Sequence, residues 1–185
     1  MTARLISIIE RAGVGRGPET PVSTGLLLRG LLDEGSNLAV GLMGALGVDI
    51  DELRAAVDDA CSAVAEGGTG EDGIARPDAS WLARLTWPAR NAIASGIEAA
   101  LDLGHNYVGT EHVLLGLLAD ADSQAGQVLR THGMEEDATR RALTGALAGY
   151  AQGRKAGAGS AAVTTIDDVV ARLEAVERRL AALNA

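Results

Sequence analysis

The densest chemistry in this 185-residue chain lies in one stretch, His105-Asn106-Tyr107-Val108-Gly109-Thr110-Glu111-His112. Thr110 is a residue type that caps helices, and an apolar run at helical spacing follows it. The backbone N–H groups of a first helical turn have no intrahelical acceptor, so they favour an anion. A carboxylate in that same turn, Glu111, favours a cation. Together they suit a ligand with an anionic and a cationic end. The alternative is that Glu111 only complements the positive end of the helix dipole. His105 and His112 are close in sequence, but no third ligand stands at a useful spacing, so no metal is expected. No serine or cysteine has a context that suggests a base partner, and there is no nucleophile elbow. No catalytic residue and no cofactor are therefore assigned, and the chain is expected not to be an enzyme. Trp81 and Trp87 are either core residues or exposed binding anchors. The lone Cys61 reads as a small core residue.

The residues that position this stretch are mostly aliphatic. Apolar residues make up 47% of the chain and aromatics 2%, with no phenylalanine, and the formal net charge is -9. That composition supports a folded core rather than disorder. The acidic balance excludes a sequence-independent nucleic-acid binder, which needs a surplus of Lys and Arg. No apolar run is long enough to span a membrane, and no signal peptide opens the chain. The expectation is a cytoplasmic protein that binds neither nucleic acid nor membrane. High Ala, Gly and Arg with little Lys is compatible with an actinomycete source.

Apolar stripes at helical period predict a series of short helices. The first holds Leu26, Leu27, Leu28, Leu31 and Leu32, after the cap candidates Ser23 and Thr24. The second carries Ala39, Leu42 and Met43, and the third, capped by Asp49, carries Leu53 and Val57. After a Gly-rich stretch the order recurs. Thr86 and Pro88 start a helix with the stripe Ile93, Ile97, Ala100 and Leu101. Further helices start at Thr110, Ser123 and Glu135. A gap-free alignment sets Val22 on Val108, Thr24 on Thr110, Gly30 on Gly116 and Gly47 on Gly133, an internal repeat at a shift of 86 residues.

The run Leu103-Gly104-His105-Asn106-Tyr107-Val108-Gly109-Thr110-Glu111-His112-Val113-Leu114-Leu115-Gly116-Leu117-Leu118, with Leu85-Thr86-Trp87-Pro88-Ala89-Arg90 upstream, resembles the signature of the Clp N-terminal repeat domain. That domain begins the Clp/Hsp100 unfoldases, the ClpC branch above all. The resemblance covers roughly residues 1 to 148. It implies an all-α fold, two pseudo-symmetric four-helix repeats forming one globular domain. Repeat one is placed at about 1–66 and repeat two at about 78–150. It also implies that the histidines fix an inter-helix turn by hydrogen bonding.

In the family this domain receives substrates and adaptors, and in some bacteria it binds phosphoarginine tags and cyclic-peptide antibiotics. By that resemblance Thr110 and Glu111 are the ligand-binding residues, with the amides for phosphate and Glu111 for guanidinium. Leu85, Trp81 and Trp87 are candidate peptide contacts, Leu85 standing where the family carries an aromatic residue. Repeat one is eroded: its counterpart site is Thr24 and Gly25, which lacks the carboxylate, so one site at most is expected. This chain contains no Gly-x-x-x-x-Gly-Lys-Ser/Thr phosphate loop, so it is not itself the motor.

Residues 151–164 read as a flexible Gly- and Ala-rich linker. Beyond it, Ile166, Val169, Leu173, Val176, Leu180 and Leu183 form a heptad seam, predicting a short coiled-coil-like helix over 165–185 and a homodimer through it, with docking on a partner or back on the domain as the alternatives. The functional expectation is a stand-alone, non-catalytic binding protein for peptides, phosphoarginine-tagged proteins or cyclic-peptide antibiotics, acting as a decoy. A regulatory adaptor that docks on the Clp unfoldase, and a relic with an inactive site, are the alternatives.

Overall fold

The computed structural model describes residues 1–12, 21–63 and 84–160, with side chains described through residue 148. The described residues hold eight α-helices: α1 (Ala3–Arg11), α2 (Thr24–Glu34), α3 (Leu38–Ala45), α4 (Ile50–Ala63), α5 (Trp87–Asp102), α6 (Thr110–Ala119), α7 (Gln124–Thr131) and α8 (Glu136–Ser160). Among them there is no strand, only an isolated parallel bridge between Val22 and Leu85.

The sequence repeat is a repeat of elements. The starts of α2, α3 and α4 at Thr24, Leu38 and Ile50 recur 86 residues later at Thr110, Gln124 and Glu136. The turns recur as well. Gly47 and Gly133 adopt left-handed φ values of 82° and 78°, a conformation that glycine reaches without steric cost. Behind each, the next amide reaches back five residues: Val48 N–H to the Met43 carbonyl at 3.0 Å and Met134 N–H to the Leu129 carbonyl at 3.0 Å. Both are Schellman closures, which satisfy carbonyls that the helix end leaves open.

The two repeats also exchange backbone hydrogen bonds. Thr86, the N-cap of α5, donates its N–H to the Val22 carbonyl at 3.0 Å. Thr2, the N-cap of α1, donates its N–H to the Val108 carbonyl at 2.9 Å. Each repeat thus ties the start of its first helix to the loop before the other repeat's second helix. Helix α1 supplies the fourth helix that a four-helix repeat one requires, although no stripe in the sequence marked its position. Its core residues, Leu5, Ile8 and Ile9, show helical spacing, but only over two turns.

The core of the compact unit 1–143 centres on α2 and α6. Residues 110–118 of α6 are all buried, so this helix is enclosed rather than amphipathic. Its closest neighbour is α5. A methyl group at Gly116 would run into the Ala92 carbonyl, and one at Gly96 would lie 2.8 Å from the His112 carbonyl oxygen. Two glycines thus let the α5 and α6 backbones touch. The buried face of α5 is Ala89, Ala92, Ile93, Gly96, Ala99 and Ala100. Ile97 and Leu101, which the sequence places in the core stripe, are instead 40% and 69% exposed. Small residues dominate the inward face around the glycine contact, with Ile93 as its one large side chain.

In the second unit, residues 144–185, the backbone stays helical to Ser160. The expected linker from residue 151 therefore begins as helix. Ala151, Gln152, Arg154, Lys155 and Ala156 are strong helix formers that offset Gly153 and the glycines that follow. The heptad positions from Ile166 to Leu183, and the homodimer expected through them, lie outside the described residues.

Candidate functional site

The N-terminus of α6 departs from expectation in one respect: its N-cap is Gly109, and Thr110 is the first helical residue. Gly109 has no side chain to cap with, and two neighbours take over. His112, three residues on, accepts the Gly109 N–H at Nδ1 over 2.9 Å, as the Glu or Gln of a capping box would. The Glu111 carboxylate folds back over Gly109. A methyl group placed there would lie 2.5 Å from one carboxylate oxygen and 2.6 Å from the other. Glu111 fills the space where a capping side chain would sit, so a side chain at position 109 would have to displace that carboxylate.

This arrangement buries the carboxylate; Glu111 is 4% exposed. A buried charge is costly unless hydrogen-bonded. Glu111 Oε2 accepts from the Thr110 hydroxyl at 3.4 Å. Desolvation first, then the charge of Glu111 and hydrogen bonding toward it, push the Tyr107 phenol above its ordinary value.

His112 is fully buried, and its Nε2 lies 2.7 Å from His105 Nδ1. Because His112 Nδ1 accepts from Gly109, the neutral ring carries its proton on Nε2 and donates it to His105. Tyr107 stacks on His105 with ring centroids 5.4 Å apart and meets His112 edge-on at 5.5 Å. Burial holds His112 below the usual histidine range; Glu111 opposes this and His105 adds to it. The histidines therefore fix the turn by hydrogen bonding. Among the described residues no group of three or more His, Cys, Asp or Glu is placed to hold a metal.

The repeat-one counterpart is closed by different residues. Ser23 caps α2 through Leu26 N–H at 3.2 Å. Thr24 Oγ1 accepts from Ala125 N–H at 3.2 Å, linking the two repeats. A methyl group at Gly25 would lie 2.8 Å from Cys61 Sγ and 3.0 Å from Gln124 Oε1. Cys61 is half-buried and packs at this junction of α2, α4 and α7. The place where repeat two keeps a carboxylate is thus occupied from outside the helix.

The peptide-contact candidates separate. Leu85 is fully buried beside Val22, whereas Trp87 is 48% exposed at the start of α5. Trp81 lies outside the described residues. A cleft of about 370 Å³ between α1 and α2 was not foreseen. Its Arg11, Arg29, Asp33 and Glu34 come from one helix whose stripe was missed and from the polar edge of another. Arg29 is already ion-paired there with Asp33 at 2.8 Å.

The fold and the α6 site define an all-helical double-repeat module. Residues 84–181 match the Clp repeat (R) N-terminal domain family, and the chain belongs to that family. The match starts at the second repeat, whereas the sequence resemblance spans residues 1 to 148. The chain is 30% identical over 119 residues to the chloroplastic chaperone protein ClpC1 of Oryza sativa subsp. japonica, covering 64% of this chain and 12% of that protein. It is 32% identical over 108 residues to a ClpA homolog, an ATP-binding subunit of the ATP-dependent Clp protease, from Guillardia theta, covering 58% of this chain and 12% of that one. The aligned stretch is thus a small part of either relative. The crystal structure of the N-terminal domain of ClpD from Arabidopsis thaliana shares the fold, with a TM-score of 0.53 at 23% identity, over 80% of this chain and 96% of that one. No helix of the described residues is long and apolar enough to cross a membrane.

Proposed function

We propose that this chain is a non-catalytic binding module for the proteins that Clp unfoldases handle, and that its ligand site is the N-terminus of α6 at Thr110 and Glu111. Family membership carries the class of function. The carboxylate at the α6 start, with no equivalent at Gly25, supports a single site. The ligand chemistry that fits is an anion joined to a guanidinium, as in a phosphoarginine-tagged protein. The guanidinium would take the place of the Tyr107 hydroxyl at Glu111, and the anion would lie against the amides of the helix start. Peptides and cyclic-peptide antibiotics are further candidate ligands, with Trp87 as the exposed anchor. As a binder of such ligands the module would act as a decoy or an adaptor.

Titration calorimetry with phosphoarginine tests the site. Binding to the full chain that is lost in Glu111→Ala and kept in Thr24→Ala is the expected result. No heat at millimolar ligand overturns the phosphoarginine assignment. The burial of Glu111 favours a second reading, in which the carboxylate serves only as a cap and the site is inactive.

A further inference from the structure

The outward face of α5 carries apolar residues where a single-chain core has no use for them. Trp87, Ile97 and Leu101 are 48%, 40% and 69% exposed, and Ala94 between them is also exposed. Trp87, Ala94 and Leu101 stand at seven-residue intervals, and Ile97 lies three beyond Ala94. This is the spacing of a seam between paired helices. The seam runs about 21 Å, at 1.5 Å per residue, which is nearly the whole helix.

The face is complementary to itself. An antiparallel pairing of two such helices about a twofold axis at Ala94 sets Trp87 against the other Leu101 and Arg90 against the other Glu98. Small alanines would face each other at the axis. Trp87 then meets Leu101, Ile97 lies level with Asn91, and Arg90, whose Nε donates to the Leu85 carbonyl, stands level with the opposite charge of Glu98. A twofold contact requires this property, because one patch must fit its own copy. In parallel register Arg90 would face Arg90 and Glu98 would face Glu98, so the charge order selects the antiparallel arrangement.

We infer that the exposed α5 face is a homotypic docking surface whose partner is the α5 face of a second copy of this chain. This does not depend on the ligand reading of the α6 site, nor on self-association through residues 165–185. The contact is short and exposed in the monomer, so the association is weak and concentration-dependent.

Two measurements on the full chain test it. The first is the mass in sedimentation equilibrium over a wide concentration range. Glu98→Arg should weaken dimerisation at least tenfold, and Arg90→Glu combined with Glu98→Arg should restore it. Leu101→Glu, at an exposed position, should weaken it without unfolding the chain. The second reads the register. In a Cys61→Ser background, Ala94→Cys should form a disulfide-linked dimer under mild oxidation, and Glu52→Cys, exposed on α4, should not. A chain that is monomeric throughout overturns the inference. So does a dimer indifferent to both Glu98→Arg and Leu101→Glu but lost in Leu173→Glu, or an Ala94→Cys cross-link no stronger than the Glu52→Cys control.

Discussion

His112 Nε2 lies 2.7 Å from His105 Nδ1, and the Gly109 amide decides which of them holds the proton. Only a neutral His112 can accept from Gly109 and donate to His105 at once. Protonation would put a second hydrogen on Nδ1, facing the Gly109 N–H, and break the closure of the α6 start.

Stability should therefore fall as pH drops below about 6.5. The folded value of His112 is lowered, by burial first, from the model-compound 6.5. Above that pH, both folded and unfolded chains hold the ring neutral and its contribution is complete. Below it, the unfolded chain takes up a proton first, so stability is lost until the folded value is also passed. Urea unfolding should give a lower stability at pH 5.5 than at pH 7.5. His112→Gln, which can accept from Gly109 and donate to His105 without titrating, should flatten the profile. An unchanged slope in that variant would show that another group carries the pH dependence.

Gly116→Ala should be among the most damaging single changes in the chain. Its methyl group would enter the space of the Ala92 carbonyl, and backbone cannot rotate away as a side chain can. The expected loss is about 3 kcal/mol or more, because α5 and α6 must separate. The repeat-one equivalent, Gly30→Ala, meets the Ile8 Cγ2 methyl at 3.0 Å, with the Ile8 carbonyl oxygen and Ala12 Cβ at ordinary contact distances of 3.4 and 3.5 Å, and should cost roughly 1 kcal/mol. Thermal denaturation of the two variants gives the comparison, and equal losses would contradict it.

This asymmetry marks what was legible in the sequence. The 86-residue register, the caps at Ser23, Thr86 and Ser123, and the closing glycines at 47 and 133 are local signals, and all reappear in the fold. The orientation of α5 is not local. Ile97 and Leu101 look like core residues until the Gly96 and Gly116 contact turns the small face inward. The burial of Glu111 was equally hidden. It follows from Gly109 lacking a side chain, which leaves the cap position for the carboxylate to fill. Helix α1 was missed because its stripe is only Leu5, Ile8 and Ile9, too short for periodicity to register.

Gly25→Glu is the direct way to build a second carboxylate site, and it should fail alone. Its side chain must leave the backbone where Cys61 Sγ and Gln124 Oε1 already stand. We expect a loss of about 1–3 kcal/mol from this overpacking. Cys61→Ala should return part of that loss in the double variant, since the two positions share one space. A double-mutant cycle by urea unfolding reads the coupling, and additive effects would show that Cys61 is not the obstacle.

Tyr107→Phe separates a working Glu111 site from a cap. The Tyr107 hydroxyl is coupled to the Glu111 carboxylate, and removing it takes a polar neighbour from a buried carboxylate. Stability should drop by about 1–2 kcal/mol whichever role Glu111 has. Binding responds differently. A guanidinium ligand competes with that hydroxyl for the same oxygens, so its loss should tighten phosphoarginine binding several-fold. If Glu111 serves only the turn, the variant is less stable and phosphoarginine gives no heat with either protein. Calorimetry on the wild type and Tyr107→Phe, at a pH well above 6.5 where His112 stays neutral, distinguishes the two.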